Sequence, residues 1–305
     1  MLFALNALMV DVPAKQVDEA RSFYASRPAG RGPADIEELT AVRAAMPIPP
    51  VAEPPAIEDM VDGRVPIRIT LPADGRIRGV YLNIHGGGFY MGSAARDDVS
   101  NRDLADGLNV AVVGIDYLLA PENPWPAAAD DCEAAALWLV VHAAARFGSS
   151  RLLIGGRSAG ASLALTTLLR LKSRGAAGRF AASTLQFGTY DMSAQTPAGR
   201  RIADEYFIRA YAGHVVDRTV PDISPIYADL HGLPPVLMTV GSDDVLLEDN
   251  LAMAARLSAA GNDVTLRIYP EAPHGFTGHP TALARTARND IDSWMLERIG
   301  IADAE

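Results

Sequence analysis

The sequence has little cysteine and a deficit of positive charge, and it contains no long apolar run. Its one cysteine, Cys132, excludes an intramolecular disulfide and any zinc or iron–sulfur site made of several cysteines. The net charge of −10 argues against a nucleic-acid surface, because phosphate binding needs clustered Lys and Arg. No apolar stretch approaches the roughly 20 residues that a membrane-spanning helix needs. We therefore expect a cytoplasmic protein with no membrane span and no nucleic-acid partner.

The composition indicates a folded chain. Hydrophobic residues make up 49% and charged residues 21% of the 305 residues, which is enough for a large core. The N-terminal stretch MLFALNALMV is apolar but short, with no basic region before it and no clear cleavage site after it. We expect residues 1–10 to form a helix that docks on the body, rather than a signal peptide.

Residues 1–55 differ in pattern from the rest of the chain. They contain two helical patterns, AKQVDEARSFYAS and DIEELTAVRAAM, and they end in the proline-rich stretch PIPPVAEPP. This predicts a small helical segment followed by a semi-rigid connector. Residues 56–305 are predicted to form the main domain. A polar and aromatic insert at residues 190–220 interrupts that domain and could form a second part of a lid.

The main domain alternates short β-branched runs with helical patterns. The runs are PIRITL, GVYLNI, VAVVGID, RLLIGG, ASTLQF, PVLMTVG and VTLRIY, with a weaker one near Ile57. Strands that alternate with helices predict an α/β fold with a mostly parallel eight-stranded sheet covered on both faces. The first strands lack intervening helices, so we expect that end of the sheet to be antiparallel. In such sheets, sites form beyond the carboxyl ends of the strands.

A G-x-S-x-G motif lies between the run RLLIGG and a strong helical pattern. It spans residues 156–160 and centres on Ser158. A sharp strand-to-helix turn exposes a serine hydroxyl at a helix N-terminus, and it needs small neighbours for steric reasons. Ser158 is therefore a candidate nucleophile. The alternative is a serine near the N-cap of an ordinary strand–helix unit.

A glycine run, HGGG at residues 85–88, follows the strand GVYLNI. Consecutive glycines let backbone N–H groups face a substrate oxygen, as an oxyanion hole requires. The candidate donors are the N–H groups of Gly86 and Gly87, with that of Ala159 as the third. The alternatives are a flexible loop or a phosphate cradle, but the sequence has no G-x-G-x-x-G or G-K-[ST] motif to support phosphate binding. His85 is expected to orient this loop by hydrogen bonding.

A base and an acid for Ser158 are available after the last two strands. YPEAPHGFTGHP contains His274 and His279, and MTVGSDDVLLEDN contains Asp243 and Asp244. The chain order serine, aspartate, histidine is that of α/β-hydrolases. His274 is the candidate base, because His279 comes later, before a helix, where a surface or cap residue is expected.

Together these motifs resemble the bacterial hormone-sensitive-lipase-like esterases of the α/β-hydrolase superfamily, over residues 75–300. DYLLAPENPWPAAADD corresponds to a stretch in which family members carry D-Y-R-L-A-P-E. The family acid lies in D-x-L-x-[DE]-[DE]. Residues 244–249 fit this pattern, and the register that starts at Asp243 does not, so Asp244 is the implied acid. The resemblance also implies an N-terminal cap over the pocket and, in many members, a homodimer.

Three positions depart from the family pattern. Arg157 stands where Asp or Thr is usual, Ala161 where Gly is usual and Leu118 where Arg is usual. The loss of charge at Leu118 is expected to alter how its loop is anchored. Two interpretations of Arg157 are open. It pairs with a carboxylate beneath the serine turn or is solvated, or else it attracts an anionic substrate group.

The expected function is that of a serine carboxylesterase for short- to medium-chain acyl esters of small molecules. The triad Ser158, Asp244 and His274 would act through an acyl-enzyme, with no cofactor and no metal. An amidase or a deacetylase acting on a small metabolite is the alternative, because the same triad serves all three. A hormone-receptor-like binding protein is less consistent, since such proteins usually lose a triad member.

Overall fold

The computed structural model describes residues 8–27 and 32–300. Its centre is an eight-stranded sheet in the order β1-β2-β4-β3-β5-β6-β7-β8. The strands are β1 (Ile57–Val61), β2 (Val65–Thr70), β3 (Gly79–Ile84), β4 (Val110–Ile115), β5 (Leu152–Arg157), β6 (Phe180–Gln186), β7 (Val236–Gly241) and β8 (Val264–Tyr269). β2 is antiparallel to both β1 and β4, and all other pairs are parallel. The predicted α/β class, the eight strands and the antiparallel end are confirmed.

Helices cover both faces of the sheet. The helices of the described residues are α1 (Ala14–Ala25), α2 (Ile36–Ala45), α3 (Asp98–Leu108), α4 (Ala127–Phe147), α5 (Ala159–Ser173), α6 (Pro197–Arg200), α7 (Tyr206–Ala212), α8 (Leu247–Ala259) and α9 (Ala282–Gly300). Buried side chains of α4, α5 and α8 form the core on one face, and those of α3 and α9 form the core on the other. Every residue of β4 and β7 is buried, as expected for strands covered on both sides. None of these helices, within the described ranges, has the length and apolarity needed to cross a bilayer.

The N-terminal segment contacts strand β8. The helix expected over residues 1–10 lies mostly outside the described residues. In the described part of that stretch, Met9 is not in a helix but forms a parallel bridge with Ile268, and Val10 N–H donates to the Ile268 carbonyl at 2.8 Å. The two later helices occur where the patterns predict them, as α1 and α2. The Asp35 carboxylate caps α2 by accepting a hydrogen bond from Glu38 N–H at 2.9 Å.

The insert at residues 190–220 carries α6 and α7. Tyr211, on α7, is buried and stacks on Phe89 of the glycine run's loop, with 4.1 Å between ring centroids. The Tyr211 carbonyl also accepts a hydrogen bond from Trp125 N–H at 2.8 Å. These contacts fix the insert above the carboxyl ends of the strands. The division of the chain at residue 55 and the identification of the insert as part of a cap stay predictions.

Candidate active site

The predicted site residues meet at one edge of the sheet. β3, β5, β7 and β8 are parallel, so the loops that follow them emerge on the same side. The glycine run follows β3, and Ser158 lies directly after β5. Asp244 comes after β7, and His274 comes after β8.

Ser158 has the strained backbone expected of a sharp strand-to-helix turn. Its φ of 52° and ψ of −122° are unusual for any residue but glycine. Two glycines make the turn sterically feasible. A Cβ on Gly156 would lie 2.4 Å from the carbonyl oxygen of Ile84, and one on Gly160 would lie 2.0 Å from the same oxygen. The motif therefore needs glycine at these two positions because β3 lies too close to leave space for a Cβ.

The serine, histidine and aspartate side chains form a continuous hydrogen-bonded chain. Ser158 Oγ lies 2.9 Å from His274 Nε2, and His274 Nδ1 lies 3.0 Å and 3.1 Å from the two carboxylate oxygens of Asp244. The Asp244 side chain is fully buried, and it also accepts a hydrogen bond from Leu246 N–H at 2.8 Å. A proton on Nδ1, donated to Asp244, leaves Nε2 free to accept the serine proton. This is the geometry of an activated nucleophile.

The two neighbouring candidates lie elsewhere. Asp243 is exposed and accepts a hydrogen bond from the Ser242 hydroxyl at 3.1 Å. His279 contacts α1, where its ring lies 5.5 Å from the ring of Tyr24, and burial lowers the pKa of its imidazole. The structure thus brings Asp244 and His274 to Ser158, and it does not bring Asp243 or His279 there.

The glycine run lies in the loop of residues 85–91, here called the glycine loop, which has an unusual backbone conformation. Gly87 and Gly88 have φ values of 120° and 60°, and the non-glycine Phe89 has a φ of 62°. A Cβ on Gly87 would lie 2.0 Å from the Met91 carbonyl oxygen, so this position requires glycine. Within residues 8–27 and 32–300, the N–H groups of Gly86, Gly87 and Ala159 donate to no protein acceptor. All three residues line the cavity that Ser158 faces.

His85 holds the buried side of this loop. Its ring is 3% exposed and stacks on Tyr117 with 4.2 Å between centroids, and its Nδ1 lies 2.7 Å from the Gly86 carbonyl. The Tyr117 hydroxyl donates to the His85 carbonyl at 3.0 Å. Desolvation lowers the pKa of His85, so the ring is neutral at pH 7 and Nδ1–H donates to Gly86. The loop-orienting geometry expected for His85 is present.

The cavity above Ser158 has a volume of about 580 Å³. Apolar surface dominates its wall, which suits an uncharged organic substrate. The segment before residue 55 and the insert at 190–220 both contribute to this wall. Their lining residues are Gly32, Met46, Ile202, Glu205 and Phe207.

Arg157 forms an ion pair with Asp97, which stands just before α3. The negative charge of Asp97 raises the pKa of the Arg157 guanidinium. Asp97 is 6% exposed and also lies 3.3 Å from the amide nitrogen of Asn83. This geometry agrees with the interpretation that Arg157 pairs with a carboxylate beneath the turn. Sequence reasoning did not identify that carboxylate, because Asp97 stands 60 residues away with no local motif.

The other two departures are Leu118 and Ala161. The Leu118 side chain is 48% exposed, while its N–H donates to an Asp131 carboxylate oxygen at 3.0 Å and so anchors the loop without an arginine. Ala161 is fully buried in α5. In the described part of the chain, no three His, Cys, Asp or Glu side chains are grouped as a metal site would require.

Comparison with known proteins gives one family and several relatives. A family model described as an alpha/beta hydrolase fold matches residues 81–278. The carboxylic ester hydrolase LipN of Mycobacterium tuberculosis (strain ATCC 25618 / H37Rv) is 34% identical over 232 residues, which are 70% of this chain and 61% of LipN. The chain therefore spans less than two thirds of LipN. The ethyl acetate hydrolase of Pseudomonas putida is 32% identical over 246 residues, which are 73% of this chain and 76% of that protein.

Solved structures agree with these matches. An esterase/lipase from an uncultured bacterium superposes with a TM-score of 0.79 at 26% identity, covering 95% of this chain and 100% of that chain. A hormone-sensitive lipase from a metagenome library superposes with a TM-score of 0.72 at 32% identity, covering 86% of this chain and 91% of that chain. The resemblance that the sequence motifs indicated is confirmed.

Proposed function

The chain belongs to the α/β-hydrolase family, among the hormone-sensitive-lipase-like esterases, and from this premise we propose that it is a serine carboxylesterase. The observation that carries the proposal is the hydrogen-bonded chain from Ser158 through His274 to the buried Asp244. An unactivated serine is a weak nucleophile at neutral pH. In this hydrogen-bonded triad, His274 supplies the base and Asp244 supplies the group that orients it.

The reaction proceeds in two halves. His274 Nε2 takes the Ser158 proton as Oγ attacks the ester carbonyl carbon, and Asp244 stabilises the imidazolium that forms. The tetrahedral intermediate collapses, the C–O bond to the alcohol breaks, and the alcohol leaves with the proton from His274. Water, deprotonated by His274, then attacks the acyl-enzyme, and the acid leaves as Ser158 regains its proton.

The oxyanion of both tetrahedral intermediates is bound by the N–H groups of Gly86, Gly87 and Ala159. The support for this role is that the three residues line the same cavity as Ser158 and that these donors bind no protein acceptor in the described residues. Such donors act on the charge that develops in the transition state, in a site with little water.

Residues 1–55 and 190–220 act as a cap that forms the acyl and alcohol pockets. The support is that both segments line the cavity of about 580 Å³ over Ser158. A largely apolar cavity of this size favours small-molecule esters with short to medium acyl chains. A homodimer, which the family resemblance implies, stays a prediction.

The proposal is tested with wild type and Ser158→Ala on matched p-nitrophenyl esters and p-nitroanilides. We expect wild type to hydrolyse the acetate and butyrate esters, and Ser158→Ala to lose about 10⁴-fold or more in kcat. A fluorophosphonate probe should label wild type and not the variant. Near-normal ester turnover by Ser158→Ala would overturn the assignment of the nucleophile. Faster turnover of the anilides than of the esters would identify an amidase instead.

A further inference from the structure

One arginine of the N-terminal segment bridges two loops at the edge of the candidate site. Arg43, on α2, donates from Nε and Nη2 to the Tyr90 carbonyl at 2.8 Å and 2.6 Å, and from Nη2 to the Ala120 carbonyl at 2.7 Å. Its Nη1 and Nη2 lie 2.6 Å and 3.1 Å from the Glu122 carboxylate oxygens. The Arg43 side chain is only 25% exposed, and its hydrogen bond lowers the pKa of Glu122. Arg43 itself does not line the cavity above Ser158.

The loop that Arg43 contacts is the glycine loop, which carries two of the three proposed oxyanion donors, the N–H groups of Gly86 and Gly87. Tyr90 lies three residues after Gly87, and the N–H groups of Tyr90 and Met91 both donate to the Gly87 carbonyl, at 3.2 Å and 2.9 Å. The Ala120 N–H donates to the Phe89 carbonyl at 3.0 Å. Arg43 therefore joins the glycine loop to the loop at residues 117–122 at the point where these two loops also bond to each other.

The glycine loop needs such support because its backbone is strained. Phe89 is a non-glycine residue at a φ of 62°, a conformation that persists only where the surrounding structure over-determines it. His85 and Tyr117 hold the loop on its buried side. On the other side the Tyr90 and Ala120 carbonyls belong to residues that are 3% and 0% exposed, so a lost donor there would leave buried acceptors unpaired.

We propose that Arg43 is a positioning residue for the glycine loop. The N-terminal segment would then help to place the oxyanion donors, besides lining the cavity. The proposal rests on the proposed esterase function. Since Arg43 is not among the residues that line the cavity, it acts through the loop that carries Gly86 and Gly87. Displacement of those N–H groups weakens binding of the tetrahedral oxyanion more than binding of the planar ester. The consequence is a fall in kcat with little change in KM.

The test compares Arg43→Ala and Arg43→Lys with Arg209→Ala. Arg209 is the matched control, because it is not among the residues that line the cavity and donates instead to the Ala34 carbonyl of the same segment at 2.8 Å. We expect Arg43→Ala to lose about 10- to 100-fold in kcat for p-nitrophenyl acetate, with KM changed less than about threefold. Arg43→Lys should lose less, and Arg209→Ala should stay close to wild type.

Two further readouts separate positioning from a general structural role. The Ki of a trifluoromethyl ketone, which forms a tetrahedral adduct with the serine, should rise in Arg43→Ala by the same factor as kcat falls. Guanidinium ion at millimolar concentration should restore part of the activity of Arg43→Ala, by occupying the space between the Tyr90 and Ala120 carbonyls. It should have no such effect on Arg209→Ala.

Three results would overturn the proposal. They are an unchanged kcat in Arg43→Ala, a loss confined to KM, and equal losses in the Arg43 and Arg209 variants. If Arg43→Ala does not fold, Arg43→Lys decides by the same division between kcat and KM. An active wild type with unaffected Arg43 variants refutes only this inference. A wild type that neither hydrolyses esters nor reacts with the fluorophosphonate refutes the proposed function, and this inference with it.

Discussion

The two sides of the candidate site are built from different groups. One side consists of the side chains of Ser158, His274 and Asp244, each of which follows a strand and bonds to the next. The other side consists of backbone N–H groups, those of Gly86 and Gly87 on the glycine loop and that of Ala159 at the start of α5. The glycine loop accepts hydrogen bonds from side chains of other parts of the chain. The first side can be disabled by changing the group that acts. The second side acts through backbone N–H groups, which no side-chain substitution removes. It can be disabled only by a substitution that displaces the backbone.

The largest effect should come from the orienting carboxylate of the side-chain half. We expect Asp244→Asn to lower kcat by about 10⁴-fold, because the amide no longer favours the histidine tautomer that accepts the serine proton. Asp243→Asn is the matched control, since Asp243 is exposed and adjacent in sequence. Steady-state ester hydrolysis measures both. A larger loss in Asp243→Asn than in Asp244→Asn would show that the acid is misassigned.

A smaller loss of activity should come from a change in the backbone half. In Gly87→Ala the new Cβ would lie 2.0 Å from the Met91 carbonyl oxygen, so the loop must move and displace its N–H donors. We expect a loss of about 10²- to 10³-fold in kcat, the range for removal of one oxyanion donor. Gly75→Ala controls for backbone strain alone, because Gly75 has a φ of 72° with open space around it.

The outcome that contradicts this prediction is an equal loss of activity in the two glycine variants. It would show that strain, rather than displacement of the loop, lowers the rate. Circular dichroism and the thermal midpoint of each variant would show whether the protein is still folded when its activity is measured.

A smaller effect should come from Arg157, which is next to the nucleophile in sequence and belongs to neither half of the site. Because Asp97 pairs with it, we expect Arg157→Gln to slow neutral esters and carboxylate-bearing esters by the same factor, below about tenfold. Stability should fall by about 1–3 kcal/mol, since the buried Asp97 carboxylate loses its partner. The double variant Asp97→Asn/Arg157→Gln should recover part of that loss in urea unfolding. A selective loss on the carboxylate esters would instead support anion recognition by Arg157.

The side-chain half could be predicted from the sequence because its signals are local. Ser158 lies in a five-residue motif after a strand, and His274 follows the last strand in the expected chain order. The alternation of strands and helices likewise predicted the sheet and its antiparallel end, which the structure confirms. Each of these features depends on residues close together in the chain.

One support of the backbone half, His85, could be predicted because it lies within the glycine run. Arg43 could not be predicted, because its partners are distant in sequence. Arg43 lies 47 residues before Tyr90, and within a helical pattern it resembles any exposed arginine. The same holds elsewhere in the molecule for the parallel bridge between Met9 and Ile268, which nothing in MLFALNALMV indicates. Contacts of this kind follow from packing of the whole chain, which local periodicity does not encode.

The smallest effect on kcat should come from Asp249, a second buried carboxylate in the same stretch as Asp244. Asp249 accepts hydrogen bonds from Tyr190 N–H at 2.5 Å and Asp191 N–H at 3.3 Å, and burial raises its pKa from 3.8 to about 7. As the pH rises above about 4, the unfolded chain releases this proton before the folded protein does. The resulting stability is complete below the unfolded pKa and is lost as the pH rises to about 7.

Asp249→Asn keeps an acceptor for Tyr190 N–H and removes the titrating group. It therefore tests whether Asp249 contributes to stability or to catalysis. Between pH 4.5 and 7.5, we expect the free energy of unfolding of wild type to fall by about 1–3 kcal/mol more than that of the variant. Urea unfolding at several pH values measures this difference. The kcat for esters should change less than about threefold, in contrast to Asp244→Asn. Parallel stability profiles would show that Asp249 is already ionised in the folded protein, and a large fall in kcat would place Asp249 with the side-chain half of the site.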